Sequence, residues 1–309
     1  MNLPIEPTLR SEMLADRVAV VTGGSRGIGG ATATMLAANG ARVVIADVDE
    51  VKAADTAAEL NAAFGAGVAE FFVGDLVAPG VCDDLVSYTL DTCGALDIVV
   101  NNAGYAWDGR VHAMTDDQFQ AMLDIHLVVP FRLARACAPV FRSAANADAH
   151  TDPPRHRKTV MVSSMAGEWG LDGAANYAAA KAGLLGLMRS LALEWGAMRV
   201  NVNAVAFGVI QTRFALPQSD REVIRTGGRE IKVGMPAKQA QRLGVTIDPD
   251  SPPSDAEMYS AKPLPGITLG RTGTIREAAD AILWLCSPLS DYVTGQTIAV
   301  NGGARGGMS

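Results

Sequence analysis

The sequence predicts an α/β fold, a doubly wound parallel sheet of about seven strands in a single domain spanning residues 1–309, from three observations. Short, β-branched apolar runs alternate with longer Ala/Leu-rich segments along most of the 309 residues. Strands this apolar must be covered on both faces, as in a parallel sheet with helices above and below. No internal repeat and no linker divides the chain into two such sheets. Right-handed crossovers then wind the helices onto both faces, and ligands gather beyond the carboxyl ends of the strands.

The first strand, Val18–Val21, runs into a glycine-rich turn and a helix over Gly29–Asn39. A second strand, Arg42–Ala46, leads to helix Val51–Phe64, and a third, Val68–Val73, to helix Val81–Thr92. The fourth, Asp97–Val100, precedes a long helical segment over Asp116–Arg142. Thr159–Val162 is the fifth, followed by helix Ala175–Trp195, and Arg199–Val205 is the sixth. Helix Ile275–Cys286 and strand Thr297–Val300 close the pattern. Two segments interrupt it. Residues 143–158 are polar, and the adjacent Pro153 and Pro154 forbid a continuous helix, so they read as a surface insertion. Residues 213–270 carry Pro217, Pro236, Pro249, Pro252, Pro253, Pro263 and Pro265. Loops beyond about 15 residues are uncommon in compact domains and are usually lids or disordered. This segment reads as a substrate-binding cap, with one or two short helices between Asp220 and Val245; a solvated, inert insertion is the competing reading.

Composition narrows the function classes. With 26 Lys and Arg against 33 Asp and Glu, the net charge is −7, which argues against a nucleic-acid partner and its basic face. Hydrophobic residues reach 49% and charged residues only 19%, ample for a sizeable core. Cys82, Cys93, Cys137 and Cys286 are scattered without C-x-x-C spacing. They read as reduced thiols of a cytoplasmic protein, with no metal site. The N-terminus lacks a basic start before an apolar run, and no stretch approaches ~18 uninterrupted apolar residues, so neither a secretory signal nor a membrane span is expected.

After the first strand comes Thr22-Gly23-Gly24-Ser25-Arg26-Gly27-Ile28-Gly29, opening directly into a helix. Glycine permits positive φ and lets backbone approach a pyrophosphate, and the helix N-terminus supplies unpaired N–H groups and a positive dipole end. Such a turn is common; its context strengthens it, because Asp47 ends the second strand 20 residues beyond Gly27. A carboxylate there is placed to bind adenosine ribose hydroxyls and to repel a 2′-phosphate, so NAD is the expected cofactor. Arg26 is the contrary sign, since its guanidinium could pair with the phosphate of NADP. Asp75, after the third strand, is placed either to reach the adenine or to cap the next helix.

Asn101-Asn102-Ala103-Gly104 follows the fourth strand, and Ser163-Ser164 ends the fifth. Thirteen residues beyond Ser164, Tyr177 and Lys181 stand at i, i+4 on one helical face. With these motifs in this order, and with Val300-Asn301-Gly302-Gly303 at the end, the chain resembles the short-chain dehydrogenase/reductase family from about Arg17 to Gly303, apart from the two interrupting segments. Within that family it looks most like the 3-oxoacyl-(acyl carrier protein) reductases.

The resemblance implies a Rossmann-type fold and a homotetramer or homodimer. It also implies a mechanism in which Ser164, Tyr177 and Lys181 interconvert a secondary alcohol and a ketone. The implied substrate is a small carbonyl compound, a 3-oxoacyl thioester or a hydrophobic ketone. The implied cofactor contacts are Gly23, Ser25, Arg26, Gly27, Ile28 and Gly29 in the turn, Asp47 and Val48, Asp75 and Leu76, and Asn102, Ala103 and Gly104. Tyr177, Lys181, Phe207, Gly208, Ile210 and Thr212 complete the set. A tyrosine normally titrates near 10, so proton transfer near neutrality needs a shift of about 3 units, or ~4 kcal/mol. An ammonium about 4 Å away at an effective dielectric of 20 supplies roughly that, which assigns Lys181 the task of poising Tyr177.

Two positions depart from the family pattern. His126 stands where the family has the asparagine of a water-borne proton relay; it is a candidate catalytic residue that continues the relay, or else a packed core histidine. Phe207 replaces a proline beside the nicotinamide position and packs either on the cofactor or in the core. Met165, Trp169, Tyr105 and Trp107 follow site loops and are candidates for an apolar substrate wall, with ordinary loop packing as the alternative. Two rival functions stand beside the NAD enzyme: an NADP-linked reductase, and a non-catalytic dinucleotide-binding scaffold in which His126 and Phe207 mark lost chemistry.

Overall fold

Seven apolar strands assemble into one parallel sheet in the computed structural model, which describes residues 12–151, 154–213, 223–234 and 260–304. In chain order they are β1 (Val18–Thr22), β2 (Arg42–Asp47), β3 (Ala69–Val73), β4 (Ile98–Asn101), β5 (Arg157–Ser164) and β6 (Val200–Phe207). A separate antiparallel hairpin of β7 (Val223–Thr226) and β8 (Arg229–Lys232) intervenes before β9 (Thr297–Val300). The sheet order is β3-β2-β1-β4-β5-β6-β9. Central strands β1, β4 and β6 are buried at every position, whereas the edge strand β9 is not, as expected of a parallel sheet covered on both faces.

The helices are α1 (Gly27–Ala38), α2 (Glu50–Phe64), α3 (Val81–Cys93), α4 (Asp116–Leu123), α5 (Val129–Ala147), α6 (Ala166–Trp169), α7 (Ala175–Trp195) and α8 (Ile275–Cys286). They divide between the two faces. One apolar core lies under α1, α2 and α8, and includes Leu36, Ile45, Val100 and Ile282. The other lies under α3, α4, α5 and α7, and includes Leu85, Met122, Phe141, Leu184 and Met188. Thr274 and Glu277 form a reciprocal capping box at the start of α8, and Thr115 with Gln118 does the same for α4.

The long helix expected over Asp116–Arg142 is instead broken into α4, a π-helical turn at Asp124–Val128, and α5. Pro130 supplies the reason: it has no N–H to donate, and its ring crowds the carbonyl four residues back, so the turn before it widens. The interruption at 143–158 is shorter than the sequence suggested. Helix α5 continues to Ala147 and β5 begins at Arg157, since Arg157 is anchored to Asp148 at 2.6 Å and Arg155 to Asp97 at 3.0 Å. In the 213–270 segment, the described residues 223–234 hold the β7–β8 hairpin rather than a helix. Gly227 and Gly228 both have positive φ, +56° and +75°, as a two-residue hairpin turn of the primed type demands. The remainder of the expected helical stretch, 220–222 and 235–245, lies outside the described residues. No helix among the described residues is long and apolar enough to cross a membrane.

Candidate active site

The strand order reverses between β1 and β4, and the carboxyl ends of these two strands part to leave a crevice. A continuous cavity of about 380 Å³ runs from there along the sheet edge. Every residue expected at the cofactor and catalytic sites lines it except Ser25.

Local hydrogen bonds fix the floor. Thr22 Oγ1 accepts from the N–H groups of Asn102 and Ala103, both at 3.0 Å, and the Asn102 amide donates to the Thr22 and Gly23 carbonyls at 2.9 and 3.2 Å. The Asn-Asn-Ala-Gly segment therefore braces the glycine turn from the neighbouring strand. Gly29 is sealed against any side chain: a Cβ there would lie 2.1 Å from the Gly23 carbonyl oxygen and 2.5 Å from the Asn102 amide nitrogen. A Gly29→Ala variant is expected to lose about 2 kcal/mol of stability and most dinucleotide affinity. Thermal denaturation and a dinucleotide titration check this; parental values for both would show that the turn relaxes freely. Helix α1 starts immediately after the turn with no side-chain cap and no acidic residue in its first turn, so its N–H groups face the cavity end uncompensated by side chains.

At the far end of this half, the Asp47 carboxylate accepts from Ser25 Oγ at 2.6 Å, from Ser25 N–H at 3.2 Å, and from Asp49 N–H at 3.2 Å. Ser25 thus stands behind the site, holding Asp47. The Arg26 guanidinium is ion-paired with Asp49, which offsets its charge beside the cavity. Asp75 is not a helix cap, since α3 begins at Val81 after Gly80. Its carboxylate accepts from Val77 N–H at 3.1 Å and from the hairpin tip, Thr226 Oγ1 and Gly227 N–H, each at 2.6 Å.

Ser164, Tyr177 and Lys181 meet in the other half. Ser164 lies beside the Tyr177 hydroxyl, close enough to lower its pKa, and Ser164 Oγ accepts from Ala166 N–H at 3.1 Å. Lys181 Nζ donates to the Val162 carbonyl at 2.6 Å and lies 5.6 Å from the centre of the Tyr177 ring. Burial decides the electrostatics. It pushes the Tyr177 phenol up to about 12, against a smaller downward pull from Ser164, and brings Lys181 down to about 7. The lowering of Tyr177 by the lysine charge, expected from the sequence, is therefore not what this arrangement produces: Lys181 is turned to a backbone carbonyl, and desolvation outweighs it.

His126 sits on the π-helical turn, 4% exposed, edge-on to Tyr177 with ring centres 5.0 Å apart. Its Nε2 lies 2.7 Å from the Tyr105 carbonyl, which can only accept, so Nε2 carries the proton and Nδ1 is left as an acceptor without a partner among the described residues. Burial first, then the Lys181 charge, holds the ring neutral. Gly104 makes the room, since a Cβ there would lie 2.3 Å from the imidazole. The residue is packed and bonded as a core histidine is, and it also lines the cavity. Phe207 likewise belongs to the core under α1 and α8 while lining the cavity.

The substrate wall differs from expectation. Tyr105 lines the cavity, but Met165, Trp107 and Trp169 do not; Trp107 packs against the α7 core and Trp169 is 41% exposed. Their places are taken by Ala106, Asp108, Leu171, Val209, Arg213 and Ile224. A lone aspartate or leucine in a loop carries no periodic signal, so only Asp108's position next to Trp107 could have pointed to it.

Residues 17–222 match the model of the short chain dehydrogenase family, and residues 251–305 match that of enoyl-(acyl carrier protein) reductase. The chain is 32% identical over 287 residues to a 3-oxoacyl-[acyl-carrier-protein] reductase of Escherichia coli, covering 93% of this chain and 96% of that protein. It is 31% identical over 297 residues to the Chlamydia muridarum protein of the same name, covering 95% and 99%. A Mycobacterium tuberculosis (5R,7aS)-5-hydroxy-7a-methyl-1-oxo-2,3,5,6,7,7a-hexahydro-1H-indene-carboxyl-CoA reductase is 32% identical over 304 residues, covering 97% and 98%.

Proposed function

The chain belongs to the short-chain dehydrogenase family, and from that premise we propose that it reduces a ketone, most suitably a 3-oxoacyl thioester or another hydrophobic ketone, with NADH as the reductant. Membership makes it an oxidoreductase that works with a nicotinamide dinucleotide. The observation that carries the finer reading is one cavity with Ser164, Tyr177 and Lys181 at one end and the Asp47 carboxylate at the other.

The residues present fit a dinucleotide. The side-chain-free turn at Gly23–Gly29 and the uncapped start of α1 suit a pyrophosphate, Asp47 suits ribose hydroxyls, and Asn102 to Gly104 with Phe207 to Thr212 suit the nicotinamide half. When bound, the cofactor supplies the hydride. Ser164 donates a hydrogen bond to the substrate oxygen as it gains alkoxide character, and Tyr177 passes its proton to that oxygen. A phenol held near 12 keeps its proton at neutral pH, so Tyr177 rests as an acid, the state needed for reduction. Lys181, buried beneath it, is the group positioned to restore that proton. The 213–270 segment, with Ile224 and Thr226 in the cavity wall, we read as a substrate cap of the same domain.

Asp47 supports NADH over NADPH. A like charge about 4 Å away at an effective dielectric of 20 costs roughly 4 kcal/mol before screening, and Arg26 is already paired with Asp49. Loss of reduced-nicotinamide absorbance with acetoacetyl-CoA, compared for NADH and NADPH, tests the proposal. Turnover with NADH is expected, and Asp47→Ala is expected to shift the NADH-to-NADPH ratio of kcat/KM by about a hundredfold. Turnover with NADPH alone in the parent would reverse the cofactor assignment.

A further inference from the structure

Three carboxylates line the cavity among the described residues, and their surroundings differ sharply. Asp47 accepts from Ser25 and Asp49, and Asp75 from Val77 and the hairpin tip. Asp108 Oδ1 is sealed from solvent with no hydrogen-bond partner. A buried acceptor left unpaired costs about 1–3 kcal/mol, and more when charged, so this carboxyl is held at a cost that neither of the other two bears. Burial alone pushes the Asp108 carboxyl up to about 6, a perturbation of the kind that clusters at functional sites.

Its backbone is fixed on both sides to the segment that carries Tyr177. Asn176 Nδ2 donates to the Trp107 carbonyl at 3.1 Å, while Asn176 Oδ1 accepts from Tyr177 N–H at 2.9 Å. Gly109 N–H donates to the Gly173 carbonyl at 2.9 Å, and Gly109 bridges Ala174 just before α7. The carboxyl is close enough to Tyr177 for its charge to raise the phenol's pKa. Asp108 is thus held rigidly at the reacting end of the cavity, away from the turn that suits the dinucleotide. The cavity wall also holds the apolar Ala106, Leu171, Val209 and Ile224, and the cationic Arg213.

We propose that Asp108 is a specificity-determining residue of the substrate pocket: its carboxyl group, which lines the cavity beside Tyr177 through the oxygen other than the sealed Oδ1, accepts a hydrogen bond from a neutral donor, a hydroxyl or amide N–H, carried by the substrate beside its carbonyl. The inference rests on the ketone-reductase reading and narrows it to ketones that bear such a donor. A cationic donor is disfavoured because the cavity already holds the Lys181 amine. A site built to satisfy a polar group rejects the analogue lacking it far more strongly than an apolar pocket rejects a missing methylene.

The test compares butan-2-one with 1-hydroxybutan-2-one and 4-hydroxybutan-2-one, in the parent and in Asp108→Asn and Asp108→Ala. At least one hydroxyketone is expected to exceed butan-2-one by about tenfold or more in kcat/KM, and Asp108→Ala is expected to bring that ratio to within about twofold of one. Asp108→Asn, which keeps an acceptor oxygen and the side-chain shape, is expected to retain part of the preference. Unchanged dinucleotide affinity in both variants shows that they are folded. A parental ratio near one for both hydroxyketones, or one that survives in Asp108→Ala, overturns the assignment. Calorimetric binding of the same three ketones to the dinucleotide-loaded protein reads the contact without turnover. If no ketone is reduced, the reductase reading falls, and the loss or persistence of hydroxyketone-selective binding in Asp108→Ala still decides the role of Asp108.

Discussion

Replacing Tyr177 by phenylalanine is expected to lower kcat for ketone reduction by about a thousandfold while leaving dinucleotide affinity within about twofold of the parent. The change deletes one hydroxyl and leaves the ring. That ring packs edge-on against His126 and against the core beneath α7, so the local structure has no reason to collapse. What disappears is the proton held on the phenol at neutral pH, beside Ser164. Steady-state rates and a fluorescence titration of reduced dinucleotide measure the two quantities separately. A variant that turns over like the parent would remove Tyr177 from the chemistry and favour a non-catalytic dinucleotide-binding role.

Lys181→Met is expected to move activity and stability in opposite directions. Burial brings the lysine from 10.5 to about 7, so the folded state disfavours the ammonium that the unfolded chain carries freely. That penalty is present in full below pH 7, shrinks as pH rises from 7 towards 10.5, and vanishes above. The full shift corresponds to several kcal/mol by linkage, and the methionine leaves the Val162 carbonyl without its 2.6 Å partner. A net gain of about 1–2 kcal/mol at pH 7 remains, or roughly 2–4 °C in Tm, alongside a loss of at least about a hundredfold in kcat. Melting curves of both proteins between pH 6 and 10 check the sign: the variant's advantage must fall as pH rises. An advantage that grows with pH would mean that the lysine is not disfavoured as a cation in the fold.

The sheet and most helix limits were legible because burial on both faces writes itself as strongly apolar runs, as in Val18–Val21. Spacing put Tyr177 and Lys181 on one helical face, but it was the family resemblance that singled them out together with Ser164. What escaped were features set by tertiary contact. Pro130 was visible, but its effect, a π-helical turn that swings His126 towards Tyr177, depends on the helix being held in place at both ends. The Gly227-Gly228 turn signal was masked by the prolines around it. The electrostatics reversed for the same reason. Spacing places Lys181 under Tyr177, but only the folded chain shows that the amine is spent on Val162 and that desolvation dominates. Asp108 belongs to this class too: one aspartate in a loop is unremarkable until its neighbours close around it.

The division of the interior into two cores has a mechanical consequence. The glycine turn rides on α1, whose packing belongs to one side of the sheet, while Tyr177 and Lys181 ride on α7, which belongs to the other. The two layers meet through β1, β4 and β5, hydrogen-bonded edge to edge in parallel register. The span between the turn and the phenol is therefore gauged by the sheet. Wear or repacking in either helical layer can tilt its own passenger, yet the ruler between them is laid out in backbone and does not depend on which side chains fill the cores.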